Sequence, residues 1–288
     1  MDELMQQRAS ILIEALPYIR RWSGKVMVIK YGGAAMEDPA SRASFAEDLV
    51  LLQHVGVRPV VVHGGGPQIS EYMKRLGIEP QFVGGRRVTD EETLRVAQMV
   101  LVGLVGQDIV SDVFQAGGKA VSVSGKDAQT IVARRRQVDG ADLGLVGDVV
   151  RINPELLVQL CNAGYLPVVS TIGMGEDGLT YNINADSAAG AIAAALSAEK
   201  IVILTDVPGL LADPSDERTL ISTLSLSEAR RMLAEGQVEG GMVPKLEACV
   251  VALESGVRRA HLIDGRVPHA LIMELFTDRG IGTMIEAG

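Results

Sequence analysis

The stretch VVVHGGGPQIS, residues 60 to 70, joins a strand-like segment to a helix-like one through three consecutive glycines. Val60, Val61 and Val62 are β-branched and apolar, which favours a buried strand. Pro67 suits the first turn of a helix, because its missing N–H would have no partner there. A tight turn needs only one glycine, whereas three leave the backbone N–H groups at a helix start open to an anion. The stretch therefore predicts a strand–helix junction that binds a carboxylate or phosphate.

The same alternation of strand-like and helix-like segments continues on both sides of this junction. Apolar runs such as KVMVIKY (25–31), LPVVSTIG (166–173) and KIVILTDV (200–207) are separated by segments with helical periodicity. Continuous apolar strands that alternate with helices are typical of a parallel sheet covered on both faces. An alternating block between residues 119 and 152 predicts a hairpin that interrupts this order. We therefore predict a three-layer α/β/α sandwich with a mainly parallel sheet.

The composition is that of a globular chain. It has 288 residues, of which 47% are hydrophobic and 22% charged, so it is long enough for a large core. The net charge of −9 argues against a nucleic-acid partner, which requires a basic face. Cys161 and Cys249 lie in apolar patterns and predict two buried, reduced thiols. The histidines show no metal-ligand spacing, so no resident metal site is predicted.

No membrane segment and no signal peptide are predicted. The most apolar helical run, SAAGAIAAALSA from Ser187, is shorter than the roughly 18 residues that a span requires. The opening residues MDELMQQRAS carry acids early and lack an apolar core beside a cleavage site. The expected compartment is the cytoplasm.

The first 22 residues do not belong to the strand–helix alternation. They predict a helix with one apolar face, which is formed by Leu4, Ile11, Leu12, Ala15, Ile19 and Trp22. Two interpretations remain open. The helix either covers its own domain or packs on another subunit.

Two lysines lie where a chain would normally avoid a positive charge. Lys30 ends a predicted strand between Ile29 and Tyr31, and its burial is costly unless it meets an anion. Lys245 lies in the first turn of a predicted helix, where a cation opposes the helix dipole. A phosphate between each lysine and its surroundings would explain both positions. Ordinary surface lysines are the alternative.

Other polar groups follow strands or open helices, where ligands bind in open α/β sheets. NINAD (182–186) opens a helix, and helix capping alone would explain Asn184 and Asp186. GGRRVTDEE (84–92) carries an arginine pair that can clamp a carboxylate or remain solvated. TDVPGLL (205–211) follows a strand. GMGEDG (173–178) matches a dinucleotide fingerprint but leads into an extended segment, so we interpret it as a polar turn, and no Walker loop occurs.

Taken together, IKYGG, VVHGGGPQI, GRRVTD, NINAD, LTDVPG and GGMVPKLEA resemble the amino acid kinase family in order and spacing, from residue 25 onward. GRRVTD with YNINAD is most similar to its acetylglutamate kinases. The resemblance implies one domain with an N-terminal oligomerisation helix (1–22), an acetylglutamate-binding and dimerisation lobe (23–195) and an ATP-binding lobe (196–288).

The resemblance also implies the reaction, which transfers the γ-phosphoryl group of ATP to the side-chain carboxylate of N-acetyl-L-glutamate. Mg²⁺ would be held mainly by the nucleotide phosphates. The implied catalytic residues are Lys30, Lys245 and Asp186, and the implied substrate-binding residues are Gly65, Gly66, Arg87, Asn182 and Asn184. The implied ATP-binding residues are Gly32, Gly33, Asp206, Val207, Pro208, Gly209, Leu210, Leu211, Gln237, Val238, Glu239, Gly241 and Met242.

The N-terminal helix and the segment PHALIMELFTDRGIGTM (268–284) resemble the arginine-inhibited members of that group. This implies feedback inhibition by arginine and a hexamer built as a trimer of dimers. Tyr18, Lys200, His269 and Glu274 are the candidate arginine-binding residues. A PII-type signalling protein is a further implied partner.

Rival interpretations remain. One is a sister kinase that acts on aminoadipate or glutamate attached to a carrier protein, against which GRRVTD argues. Another is a non-catalytic arginine sensor with the same fold, against which Lys30, Asp186 and Lys245 argue. Kinases of aspartate, glutamate, carbamate or nucleoside monophosphates match the acceptor motifs less well. A dinucleotide-dependent oxidoreductase is disfavoured by the context of its fingerprint.

Overall fold

The structure, a computed structural model, describes residues 3–138 and 142–287. The side chains of residues 3, 4 and 34 lie outside the described part, and with them the predicted role of Leu4 in the N-terminal apolar face. The helices are α1 Glu3–Trp22, α2 Pro39–His54, α3 Gly66–Arg75, α4 Glu91–Gln98, α5 Gly106–Gln115, α6 Glu155–Asn162, α7 Ala185–Ala195, α8 Leu226–Ala234, α9 Met242–Glu254 and α10 Ala270–Leu275.

The strands are shorter and more numerous than the helices. They are β1 Val26–Tyr31, β2 Arg58–His63, β3 Phe82–Val83, β4 Arg86–Arg87, β5 Ala120–Ser124, β6 Ile131–Arg135, β7 Val146–Ile152, β8 Leu166–Ser170, β9 Ile172–Gly175, β10 Thr180–Ile183, β11 Lys200–Thr205, β12 Thr223–Ser225, β13 Arg259–Asp264 and β14 Thr283–Glu286.

An eight-stranded sheet crosses the molecule in the order β12–β14–β13–β11–β1–β2–β8–β5. Every neighbouring pair is parallel except β13 and β14. One hydrophobic core lies on each face, one involving α2 and α5 and the other α7 and α9. The predicted three-layer α/β/α sandwich with a mainly parallel sheet is therefore confirmed.

The sheet register brings the polar strand ends to one edge. Tyr31 at the end of β1 is level with His63 at the end of β2, and His63 is level with Ser170 at the end of β8. Lys30 is level with Ile203 of β11. The segments that follow these strands therefore meet at a single carboxyl edge, as the parallel arrangement requires.

The predicted hairpin is present but forms part of a larger unit. β6 and β7 pair antiparallel, with a bulge between Val132 and Ala133. Together with β9 and β10 they close a four-stranded barrel. The GMGEDG segment covers the end of β9 and the turn toward β10 and opens no helix, so its interpretation as a turn rather than a dinucleotide loop is confirmed.

Helices α4 and α5 form one long helix. A π-helical turn, Met99–Val105, joins α4 to α5 without a break. By length and composition alone, Glu91–Gln115 is long enough and apolar enough to cross a membrane. However, 44% of its apolar 18-residue window is buried inside the protein. This segment was not predicted from the sequence as a possible membrane span, because polar residues interrupt its apolar run. Here Val105, Ile109 and Val113 belong to the core between this helix and the sheet.

The N-terminal helix α1 contacts its own chain through its last turn and leaves its apolar residues further toward the N-terminus exposed. Trp22 is buried, and its indole N–H donates to the carbonyl of Leu275 at 2.9 Å, which anchors the last turn. Ile11, Leu12 and Ile13 instead remain 57%, 72% and 68% exposed. The helix therefore covers its own chain only at its C-terminal end.

Candidate functional site

A cavity of about 270 Å³ lies at the carboxyl edge of the sheet. The glycine-rich segments after β1 and β2 form one wall, and the start of α7 forms another. Its walls include the predicted residues Lys30, Gly32, Gly33, Gly65, Gly66, Arg87, Asn182, Asn184 and Asp186. One cavity thus gathers residues that are scattered over more than 150 positions of the sequence.

A buried carboxylate in the cavity wall, Asp186, pairs with two lysines, of which Lys30 lines the cavity and Lys245 lies outside the lining. Asp186 Oδ1 lies 3.1 Å from Lys30 Nζ, and Asp186 Oδ2 lies 3.4 Å from Lys245 Nζ. Burial lowers the pKa of Lys30, which Asp186 opposes and the second ammonium of Lys245 reinforces. Two cations share one anion here, so the group carries an excess positive charge. It is therefore suited to an anionic ligand with several oxygens.

Helix N-termini add further positive potential around this group. α3 begins at Gly66 and α9 at Met242, and neither has a side-chain cap. α7 is capped by Asn184, whose side-chain oxygen accepts from Ser187 N at 2.9 Å. The uncapped ends leave backbone N–H groups available, and the helix dipole favours negative charge there.

Arg87 also lines the cavity, and among the residues that the structure describes it has no carboxylate partner. Its guanidinium donates to the carbonyl of Gly66 at 2.8 Å and to Ser70 Oγ at 2.7 Å. It also lies over the ring of Phe82, 4.8 Å from the ring centroid. Burial lowers the pKa of Arg87. A buried guanidinium held only by neutral groups is prepared to receive an anion.

The amide of Asn182 lies beside Arg87 in the cavity wall. Asn182 belongs to β10, and its Nδ2 donates to Thr89 Oγ1 at 3.3 Å. Thr89 in turn is bridged to Gly144, which ties the barrel to the start of α4. The barrel therefore places an amide group in the cavity wall, where it can hydrogen-bond a polar ligand.

The sequence is similar to known proteins over most of its length. The model of the amino acid kinase family matches residues 25–264, which is most of the chain. The chain belongs to the amino acid kinase family. Curated relatives of the chain within this family are acetylglutamate kinases. Acetylglutamate kinase of Symbiobacterium thermophilum is 52% identical, over 99% of both chains. Acetylglutamate kinase of Caldanaerobacter subterraneus subsp. tengcongensis is 51% identical, over 99% of this chain and 94% of that protein.

Solved structures share the amino acid kinase fold. N-acetylglutamate synthase from Neisseria gonorrhoeae, in complex with coenzyme A and N-acetyl-glutamate, matches with a TM-score of 0.85 and 30% identity over 97% of this chain. This chain spans only 63% of that synthase. A carbamate kinase from Giardia matches with a TM-score of 0.66 at 17% identity, over 92% of this chain and 99% of that one, and shows the fold alone.

Of the predicted nucleotide residues of this amino acid kinase, Gly32 and Gly33 follow β1 and line the cavity described above, and the others lie in the loop after β11 and at or just before the start of α9. Asp206, Gln237, Glu239 and Gly241 are exposed, whereas Gly209, Leu210 and Val238 are buried. The remaining candidates are half-buried: Val207, Pro208, Leu211 and Met242.

Gly209 has a structural reason of its own. A Cβ there would lie 2.7 Å from Thr283 Oγ1, which accepts from Leu210 N at 2.8 Å. Gly209 and Leu210 thus fix their loop against β14. The exposed members of the set are the ones open to a ligand.

Several residues of the cavity wall were not found from the sequence. Phe82, Leu101 and Val146 line it, as does Arg136, which pairs with Asp148 at 2.6 Å. Phe82 lies two residues before the glycine pair of the β3–β4 hairpin, a signal that could have been used. Arg136 follows two exposed arginines in a strand, and nothing in its sequence context distinguishes it from them.

A second cavity, of about 400 Å³, lies where α1 meets the C-terminal segment. Tyr18, Lys200 and Glu274 line it together. Burial lowers the pKa of Lys200 to about 8, with Glu274 acting in the opposite direction. His261, which the sequence did not identify, lies 2.5 Å from Glu274 Oε1 through Nδ1.

The structure does not bring His269 to this second cavity. Its backbone N–H donates to Ser44 Oγ at 2.6 Å, and its Nδ1 lies 2.7 Å from Asp48 Oδ1. Its position just before α10 turns it toward α2, whereas Glu274, five residues later, lies inside the helix on the opposite side. His269 was grouped with Tyr18, Lys200 and Glu274 from the sequence, and the structure corrects this grouping.

Proposed function

We propose that this kinase transfers the γ-phosphoryl group of ATP to the side-chain carboxylate of N-acetyl-L-glutamate, a step of arginine biosynthesis in the cytoplasm. One observation carries the proposal. A single cavity is lined by Lys30 and Asp186, whose carboxylate also pairs with Lys245, and by Arg87, a guanidinium that has no carboxylate partner among the described residues. A dicarboxylate of the size of acetylglutamate would present one carboxylate to each of these two groups.

The residues in place match the difficulty of this reaction. The acceptor carboxylate is ionised at pH 7, since its reference pKa is about 4.3, so no general base is needed. Two negatively charged groups must instead be brought together, which requires positioning and positive charge. Arg87 would hold the α-carboxylate and Asn182 the acetamido group. Lys30 and Lys245 would stabilise the charge of the transferring group, with Asp186 holding both ammonium groups in place.

The nucleotide fits the C-terminal loops. The uncapped start of α9 and the nearby Lys245 offer the N–H groups and the cation that a polyphosphate requires. Among the described residues, no cluster of three His, Cys, Asp or Glu side chains could hold a metal ion. When bound, Mg-ATP supplies the phosphoryl group, with the metal held on the phosphates. We assign ATP to residues 196–288 and acetylglutamate to residues 23–195.

The test is a hydroxylamine-trapping assay with Mg-ATP, which converts an acyl phosphate into a hydroxamate. The acceptors compared are N-acetylglutamate, glutamate, aspartate and N-acetylaminoadipate. Hydroxamate formed chiefly from N-acetylglutamate supports the proposal. Equal or faster transfer to N-acetylaminoadipate would favour the sister kinase that works on carrier-bound substrates.

We further propose that arginine inhibits the enzyme through the second cavity. Tyr18 of α1 donates to Asp278 Oδ1 at 2.5 Å, so the cavity joins α1 to the C-terminal segment. Lys200 and Glu274 offer one cation and one anion, which complement an amino acid with a cationic side chain. A structure of the gonococcal synthase contains L-arginine and matches with a TM-score of 0.82 at 28% identity over 97% of this chain. A PII-type protein is proposed from the resemblance alone.

Removing residues 1–16 should convert the proposed hexamer into dimers, reduce arginine inhibition and retain catalysis. The deleted part carries the exposed apolar residues Ile11, Leu12 and Ile13, which have no reason to be apolar in a monomer. The anchored Trp22 is retained, so the body should stay folded. Analytical ultracentrifugation gives the assembly and arginine titration of the kinase assay gives the inhibition.

A point variant tests the same face of α1 without shortening the chain. Leu12→Glu places a charge on the same face at a side chain that is 72% exposed, so it should disrupt assembly without affecting the fold of the chain. Hexamers that persist in both variants would contradict the role of α1 in assembly.

A further inference from the structure

His63 ends β2 immediately before the three glycines and is fully buried. Its Nδ1 lies 2.9 Å from the carbonyl oxygen of Gly64. A carbonyl only accepts, so Nδ1 must carry the proton and Nε2 must be the bare acceptor. The imidazole thus has a defined tautomer that ties it to the first glycine of the loop.

The surroundings of the imidazole keep it neutral and fixed in place. Burial lowers the pKa of His63 to about 4. Ser170 is its neighbour in the sheet register. A Cβ built on Gly106, at the start of α5, would lie 3.4 Å from His63 Nε2 and 2.4 Å from Ser122 Oγ. The residue after the π-helical turn therefore lies in van der Waals range of the imidazole, and glycine is needed there because a Cβ would clash with Ser122 Oγ.

The carbonyls of the glycine loop are all held by the protein. Gly64 O accepts from His63, Gly65 O accepts from Ile69 N at 2.9 Å, and Gly66 O accepts from Arg87 at 2.8 Å. The N–H of Gly64 donates to Tyr31 O at 3.1 Å, so both sides of that residue are fixed. The N–H groups that open α3 have no intrahelical partner and are left for the ligand.

We infer that His63 is a positioning residue for the kinase reaction. Its Nδ1–H fixes the peptide plane after Gly64 and thereby directs the N–H of Gly65 at the anion in the cavity, while Ile69 N fixes the next peptide plane through the carbonyl of Gly65. Glycines have no side chains that could hold their own peptide planes, so an external anchor is needed. His63 does not line the cavity, so it acts through the loop and not on the substrate. This inference rests on the proposed function.

A matched pair of substitutions tests the anchor. His63→Asn keeps a donor near the position of Nδ1, whereas His63→Leu has nearly the same size and no donor. We expect His63→Leu to lower kcat/KM for N-acetylglutamate by about 10²-fold, the scale for a displacement of 1 Å, while His63→Asn stays within about 5-fold of the wild type. Hydrogen exchange over residues 60–70 should be faster in His63→Leu only.

The two readouts separate this inference from the proposed function. If the wild type phosphorylates none of the acceptors, hydrogen exchange still reports whether His63 orders the loop. Equal activity of both variants and the wild type would overturn the inference. So would equal losses in both variants with unchanged exchange, because the role would then be core packing.

Discussion

Replacing Lys30 with methionine should lower kcat by about 10²-fold or more, the scale for losing a donor that stabilises transition-state charge. Lys30 Nζ lies 3.1 Å from Asp186 and is the more deeply buried of the two lysines. Methionine fills a similar volume without the charge. In this variant Asp186 still pairs with Lys245, whose Nζ lies 3.4 Å from Asp186 Oδ2, so the carboxylate of Asp186 is not left without a cation. Lys245→Met should produce a loss of similar size.

Lys25→Met is the control for the lysine variants. Lys25 precedes the same strand at its other end, is about half exposed and pairs only with Glu199 at 3.6 Å. Its removal should leave kcat unchanged. Steady-state kinetics with both substrates, and a thermal melt to show folding, complete the comparison. Near-normal turnover in either the Lys30 or the Lys245 variant would exclude that lysine from the mechanism.

Arg87→Met should raise the KM for N-acetylglutamate by about 10²-fold, because losing one partner of a buried charged pair costs roughly 2–5 kcal/mol. Within the described part of the chain, Arg87 hydrogen-bonds neutral groups alone, those of Gly66, Ser70 and Met73, so its strongest interaction is left for the substrate. The KM for ATP should change little, since the guanidinium lies at the acceptor end of the cavity.

Arg95→Met is the matched control for Arg87. Arg95 is exposed on α4 and pairs only with Glu91 at 3.8 Å. Its substitution should alter neither KM. A variant of Arg87 that loses kcat while retaining its KM for N-acetylglutamate would contradict the assignment of this arginine to the acceptor carboxylate.

The sequence was sufficient for the sheet and for the residues at its carboxyl edge. β1, β2, β8, β11 and β13 are continuous apolar runs, and parallel strands must end at one edge. The residues at those ends therefore had to meet, as Lys30 at the end of β1 and the glycines after β2 do in one cavity.

Features that depend on tertiary packing could not be predicted in this way. The π-helical turn at Met99–Val105 arises where α4 and α5 pack over the glycine loop, and it has no separate signal in an apolar run. Arg136 follows strand β6 of the barrel and lines the cavity, whereas its neighbours Arg134 and Arg135 are exposed. His269 resembled a cavity residue from its place in the sequence. Its left-handed backbone, with φ of 56°, and its contact with Asp48 turn it away.

The measurement that tests the central claim most directly is the ATP-dependent formation of hydroxamate from N-acetylglutamate by the full chain with Mg²⁺ and hydroxylamine. The account predicts a hydroxamate that requires ATP, is formed preferentially from N-acetylglutamate and is lost in Lys30→Met. Folded protein that binds N-acetylglutamate and ATP but yields no hydroxamate from any acceptor would contradict it. The glycine loop would then be a binding site without chemistry.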